Sequence, residues 1–452
     1  MNTVFDSTVF GPLFKDAAIA SWLSDDAHVR MCVAVEAALA RVQGRLGVIP
    51  AAAAEEIAAR ADAAKIELPA LAAGALRSGF PIAALVEELR RAIGAEAGRY
   101  LHWGATTQDI MDTASVLQLR SVIGIIDGRL VELILSLSAL ADRFRATVMA
   151  GRTHGQQALP ITFGLKAASW LAPFLRHRER LAELSPRLLV VQLGGAAGTL
   201  AALGERGLEV ARALAAELGL GMPLMPWHAQ RDGYVEFAGW LSLVTGSAGK
   251  MAQDVILLAQ GEVAEVAESA EPGRGGSSTM PQKSNPITSE LIVAAARANA
   301  ALVSAMHQAA IQEHERGTHG WQVEWLALPQ MIGLAGGALK HALELTNQLA
   351  IDAGRMRENI ARSLDLILAE AAVFALSAAM PRPAADELVK KACAVARRER
   401  KPLIEVLRGL AIESVPEGSV DWQALSRPEN YLGETDKIVA AVLGRARALV
   451  KR

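Results

Sequence analysis

The chain has 452 residues, of which 52% are hydrophobic and only 4% aromatic, with Ala and Leu dominant. That is the profile of packed helices, whose small side chains allow close approach, so an all-α protein of two to four domains with an ample core is expected. The formal net charge of −2 argues against the broad basic surface of a nucleic-acid or membrane-surface binder, and neither partner is expected.

Cys32 and Cys393 lie far apart and form no C-x-x-C pair, which suits reduced thiols in the cytoplasm rather than a disulfide framework. The opening M-N-T-V-F-D-S-T-V-F has no basic region followed by an apolar one, so no signal peptide is expected. The most apolar long run, 122–140, carries Asp127, Arg129 and Glu132 and reads as a helix buried by other helices, not a membrane span.

Residues 1–111 form an N-terminal domain of short helical patterns broken at Gly47-Val48-Ile49-Pro50, at Gly79-Phe80-Pro81 and at Gly94. Its end reads L-H-W-G-A-T-T-Q-D-I-M-D, residues 101–112. Asp109 stands three residues after Thr106, as in a capping box, so a helix starts here with His102, Thr106 and Thr107 around an anion-attracting N-terminus. A helical pattern follows over 112–144. The block Gly151-Arg152-Thr153-His154-Gly155-Gln156 then reads as a polar loop, and Pro160 is expected to open a helix running to about residue 184.

V-V-Q-L-G-G-A-A-G-T (190–199) has the wrong glycine spacing for a dinucleotide fingerprint, and a tight turn or short hairpin is expected. At the polar junction 226–234, Gln230, Arg231 and Asp232 are further candidates for substrate contact. A periodic run over 235–268 predicts a helix of about 50 Å at ~1.5 Å per residue. On it Glu262, Glu265 and Glu268 make a solvated or subunit-facing stripe, with no His or Cys at ligand spacing for a metal.

G-G-S-S-T-M-P-Q-K-S-N-P (275–286) is a mobile, hydroxyl-rich loop with a cation, Lys283. Asn285 and Pro286 are cap and first-turn residues, so the loop feeds a helix N-terminus that attracts anions. That helix runs over 287–312, Gly317 stops it, and another occupies about 321–349. The five long stretches predict an up-down bundle in a central domain, 112–355, with too little partner surface in one chain; oligomerisation through them follows. Residues 356–452 form a smaller C-terminal helical domain ending in a basic, solvated helix.

Three segments resemble the fumarase/aspartase superfamily. Residues 276–286 match its signature G-S-S-x-M-P-x-K-x-N-P; His102, Gly104, Thr106, Thr107 and Asp109 match H-x-G-x-[TS]-[ST]-x-D; Thr153, His154, Gln156 and Ala158 match T-H-x-Q-x-A. The resemblance implies three helical domains and a homotetramer with a twenty-helix core, in which three loops from different subunits meet at each active site. It implies carbanion chemistry next to a carboxylate, with no cofactor and no metal.

In that reading Ser277 is the base, and Lys283 and Asn285 bind substrate and steady the aci-carboxylate. His154, with His102, handles the leaving or attacking oxygen. Thr106, Thr107, Arg152, Thr153, Gln156, Ser278 and Arg316 bind the rest of a small tricarboxylate substrate. Residues 314–316, H-E-R, also occur in the adenylosuccinate-lyase branch. Here Thr318-His319-Gly320-Trp321 replaces the Ser pair and Glu-Arg usual there, which favours a lactonising branch over purine-nucleotide binding.

Overall fold

The structure, a computed structural model, describes residues 3–268, 275–276, 279–280 and 283–450. Short helices come first: α1 (Ala17–Trp22), α2 (Asp25–Arg45), α3 (Ala51–Ala63), α4 (Leu68–Ser78), α5 (Ile82–Ile93) and α6 (Ala95–Gly98). Next are α7 (Thr107–Arg143), a hairpin of β1 (Val148–Thr153) and β2 (Gln156–Thr162), α8 (Phe163–Leu188), α9 (Gly207–Leu218) and α10 (Asp232–Leu258). Then β3 (Val266–Ala267), α11 (Ile287–Ala309), α12 (Gly320–Gln348) and β4 (Ala350–Ile351) precede α13 (Ala353–Ala361), α14 (Ala369–Ser377), α15 (Arg382–Glu399), α16 (Leu403–Ala411), α17 (Trp422–Leu425) and α18 (Thr435–Val450). The fold is all-α, and two small antiparallel pairs, β1–β2 and β3–β4, are its sheet among the described residues.

The chain divides into two compact units. The first comprises Met1–Leu130, His177–Gly246 and Ala294–Lys340; the second comprises Val131–Arg176, Ser247–Val293 and His341–Arg452. In the first unit, apolar residues of α2, α3 and α5 pack with the start of α7 and Trp321, and the other face of α2 packs against α9 through Leu39, Val42, Val210 and Leu214. In the second, Val148 and Ala150 of β1 join Ile360, Leu376, Val389 and Leu407 of the C-terminal helices.

The five long helices are α7, α8, α10, α11 and α12, with boundaries set by local chemistry. α7 begins at Thr107, as the Thr106–Asp109 spacing predicts: the Asp109 carboxylate accepts from the Thr106 N–H at 2.9 Å and caps the first turn. α8 begins at Phe163 rather than at Pro160: Thr162 Oγ1 accepts from Leu165 N–H at 3.1 Å, and Pro160 sits in β2 opposite Ala150. A two-stranded hairpin has a free edge, where a missing N–H is tolerated. The run expected to reach 268 ends at Leu258; Ala264 turns back with φ of 50°, and 266–267 become β3.

α11 is long and apolar enough to cross a membrane by length and composition, yet its most apolar window is only 33% buried within the chain. Leu135, Leu243, Leu257, Trp325 and Leu326 on the other long helices are also exposed.

Candidate active site

In the first unit the segment 102–109 is built around one buried carboxylate. Asp109 is fully buried and accepts five hydrogen bonds. Oδ1 takes Gly194 N–H at 2.9 Å, Gln192 Nε2 at 3.2 Å and His228 Nε2 at 2.7 Å; Oδ2 takes Thr106 N–H and Gly195 N–H, both at 2.9 Å. The expected turn at 190–199 is therefore wrapped on a carboxylate rather than on a dinucleotide phosphate. Glycine is required there: Gly195 has φ of 69°, and a Cβ on it would meet Gly104 O at 3.2 Å.

With Asp109 turned inward, the Thr106 hydroxyl faces Arg316, whose Nη1 donates to Oγ1 at 2.5 Å. Two residues matched to carboxylate binding, 210 positions apart, thus meet. Thr107 is half-buried at the helix start and Arg316 is exposed, so this corner is open to a ligand. His102 is half-buried with φ of 63°, and its Nδ1 lies 2.6 Å from Oε1 of the buried Glu36. Burial alone would lower the imidazole pKa; the charges of Glu36 and Asp109, against Arg90, raise it above its ordinary value.

Arg231 does not face a ligand. Its guanidinium is buried between Asp112, at 2.6 and 3.0 Å, and Glu324, at 2.8 and 2.6 Å, and stacks over Trp227 and Tyr234. Trp321 Nε1 donates to Asp112 at 3.1 Å. Arg231 joins the helix-rich parts of this unit and is withdrawn as a substrate candidate.

In the second unit the block 151–156 is the end of a hairpin rather than a loop. His154 and Gly155 are its two turn residues, with φ of 51° and 75°, the geometry of a type I′ turn that matches the twist of the strands. Ala158 forms a bulge, since pairing slips by one between Gly151 and Arg152. Thr153, His154 and Gln156 are therefore presented at an exposed tip, and among the described residues the His154 ring has no hydrogen-bond partner.

Arg152 sits behind the tip. Its Nη1 and Nη2 grip Glu265 at 2.8 and 2.6 Å, and Asn359 Nδ2 donates to the same carboxylate at 2.9 Å. Glu265 is fully buried while Glu262 is exposed, so the three glutamates do not share one solvated face.

Glu268 has a further use. Its carboxylate accepts from Thr288 N–H at 3.0 Å and from Ser289 N–H and Oγ at 2.7 and 2.6 Å. The anion-attracting N-terminus of α11 is thus occupied by the chain's own carboxylate.

The signature segment closes at its neck. Asn285 N–H donates to Gly275 O at 2.8 Å, and Gly276 bridges Ser284. Gly275 has φ of 70°, and a Cβ there would meet Asn285 O at 2.6 Å. Lys283 is exposed beyond the neck. Ser277 and Ser278 lie outside the described residues.

Residue chemistry alone missed Glu36, Glu268 and His228. The available signal for Glu36 was a lone acid inside the apolar run V-A-V-E-A-A-L-A of α2.

The family described as lyase matches residues 16–299. A 3-carboxy-cis,cis-muconate cycloisomerase from Pseudomonas aeruginosa is 44% identical over 99% of this chain and 98% of its own. A crystal structure of a fumarate lyase from Mesorhizobium sp. BNC1 superposes with TM-score 0.90 at 44% identity, covering 95% of this chain and 98% of that one. The structure of 3-carboxy-cis,cis-muconate lactonizing enzyme from Pseudomonas putida gives TM-score 0.91 at 39% identity, over 98% and 100%. With the three motifs, the hydroxyl–arginine corner and a match along almost its whole length, this chain belongs to the lyase family of the fumarase/aspartase superfamily.

Proposed function

We propose that this chain is a cycloisomerase that interconverts 3-carboxy-cis,cis-muconate and 4-carboxymuconolactone, a step of protocatechuate degradation in the cytoplasm. The observation that carries this reading is the 44% identity to a cycloisomerase over 99% of the chain, with the Arg316–Thr106 corner offering a cation and a hydroxyl to a carboxylate.

In the lactone-opening direction, the Ser277 alkoxide removes the proton α to a carboxylate, and the electron pair is held as an aci-carboxylate dianion. The ring C–O bond then breaks and its oxygen departs as the substrate's own carboxylate. Closure runs the same steps backward, Ser277 returning the proton to carbon. A serine is a weak base at its free pKa, so backbone N–H groups of the glycine loop and Lys283 must favour its ionised form. Lys283 and Asn285 hold the reacting carboxylate; His154, with Thr153 and Gln156, orients the departing oxygen; Thr106, Thr107, Ser278 and Arg316 hold the remaining carboxylates. Arg152 acts from behind the tip through Glu265.

The exposed apolar surface of α11 supports a homotetramer built on the long helices. Its active sites would each draw the 102–109, 151–158 and 275–286 segments from different subunits. The test is an ultraviolet assay of 3-carboxymuconate against adenylosuccinate. Turnover of the first alone is expected, and turnover of the purine substrate alone overturns the reading. Ser277→Ala should abolish activity with the oligomer intact; near-normal activity would remove Ser277 from the mechanism.

A further inference from the structure

The strongest unassigned feature is the pairing beneath His102. Glu36, from the middle of α2, is 1% exposed, and its Oε1 lies 2.6 Å from His102 Nδ1. Its Oε2 has no hydrogen-bond partner among the described residues. Gln43, seven residues on and on the same face of α2, is also fully buried and donates Nε2 to Trp103 O at 2.7 Å. From α5, Arg90 donates to Gly98 O at 3.2 Å and Leu101 O at 3.4 Å. The backbone at His102 is held from two sides in a left-handed conformation that costs an ordinary residue about 1–2 kcal/mol. The fold sustains that strain to deliver one ring to one carboxylate.

Charge explains the arrangement. An ionised carboxylate this deeply buried is costly unless a cation meets it. Among the described residues the ion pair of Glu36 is with His102. Accepting from Nδ1–H commits that nitrogen and leaves Nε2 as the ring atom open to a ligand; in the imidazolium it is a donor.

We propose that Glu36 is a positioning residue that keeps His102 as a fixed imidazolium, whose Nε2–H binds a substrate carboxylate beside Thr106 and Arg316 while other groups move the proton. This rests on the reading of the 102–107 segment as a carboxylate site. The groups facing the ring agree: Glu36 from α2 and Asp109 from α7 favour its charge, with Arg90 from α5 and burial opposing, and the balance lies above the ordinary imidazole value.

The experiment uses the full-length oligomer labelled with 13Cε1-histidine, the His102 signal being assigned with His102→Gln. Wild type should titrate His102 above the ordinary imidazole value, Glu36→Gln should lower that midpoint by about one unit or more, and Glu36→Asp should restore part of the shift. With 3-carboxymuconate at pH 7, Glu36→Gln should raise KM about tenfold, the scale of one charge-assisted hydrogen bond, and leave kcat within about threefold. An unchanged midpoint in Glu36→Gln overturns the proposal. So does a tenfold fall in kcat at constant KM, which would make His102 the proton carrier. If Glu36→Gln does not fold, the wild-type titration decides: a midpoint at or below about 6.5 overturns it. Absence of cycloisomerase turnover in wild type would refute the proposed reaction, while the titration would still judge the Glu36–His102 pair.

Discussion

Asp109→Asn changes one atom and removes a charge from the centre of the 102–109 segment. The amide nitrogen must replace Oδ1 or Oδ2. At Oδ1 it would confront three donors, from Gly194, Gln192 and His228; at Oδ2 it would confront two, the N–H groups of Thr106 and Gly195. The second orientation is the less damaging. It still abolishes two hydrogen bonds to a charged group, each worth about 1.5–3 kcal/mol, and leaves their donors buried. The expected loss is about 3–6 kcal/mol, large against the ~5–15 kcal/mol that usually holds a protein folded. Urea unfolding at fixed protein concentration measures it. Because Thr106 is one of the two freed residues, any folded variant should also show a raised KM. A variant within about 1 kcal/mol of wild type would refute the claim that this carboxylate organises the segment.

Arg231→Met should cost about 3–5 kcal/mol, since Asp112 and Glu324 would be left buried without a cation. The Glu324 carboxyl is already held above its usual range by burial, Arg231 partly offsetting and Asp112 adding, so the loss should be larger at pH 8 than at pH 5; a pH-independent loss would discard this account. Glu268→Gln should destabilise the start of α11 by about 1 kcal/mol and speed amide exchange at Thr288 and Ser289; unchanged exchange would mean that the carboxylate does not cap the helix. The stability contributed by Glu36 and His102 is full below the ordinary imidazole pKa, about 6.5, and is lost as pH rises through the raised folded value. Glu36→Gln should flatten that limb of the stability–pH curve, and parallel curves for the two proteins would count against the ion pair.

Several features were legible from neighbouring residues. The Thr106–Asp109 cap needs only a three-residue spacing, and it forms as expected. The helix after Pro286 starts at Ile287, and Gly155 marks a chain reversal, with φ of 75°. The segments 102–109, 151–158 and 275–286 could be matched to family motifs because those motifs are short and contiguous. Pro160 was misread because proline suits both a first helical turn and a free strand edge, and local rules cannot choose between them.

Charge pairing was not legible in this way. Arg231, one of three candidates for substrate contact in its segment, is paired with acids 93 and 119 residues away. Glu265 and Glu268 share a helical spacing with Glu262, yet one grips Arg152 from 113 positions off and the other caps α11. Glu36 meets His102 across 66 residues. Helical period, caps and turns depend on interactions over a few residues, so composition and order determine them. The partner of a buried charge is whatever group the packed chain brings within about 3 Å, and tertiary structure alone decided which cations were paired inside the fold and which were left exposed.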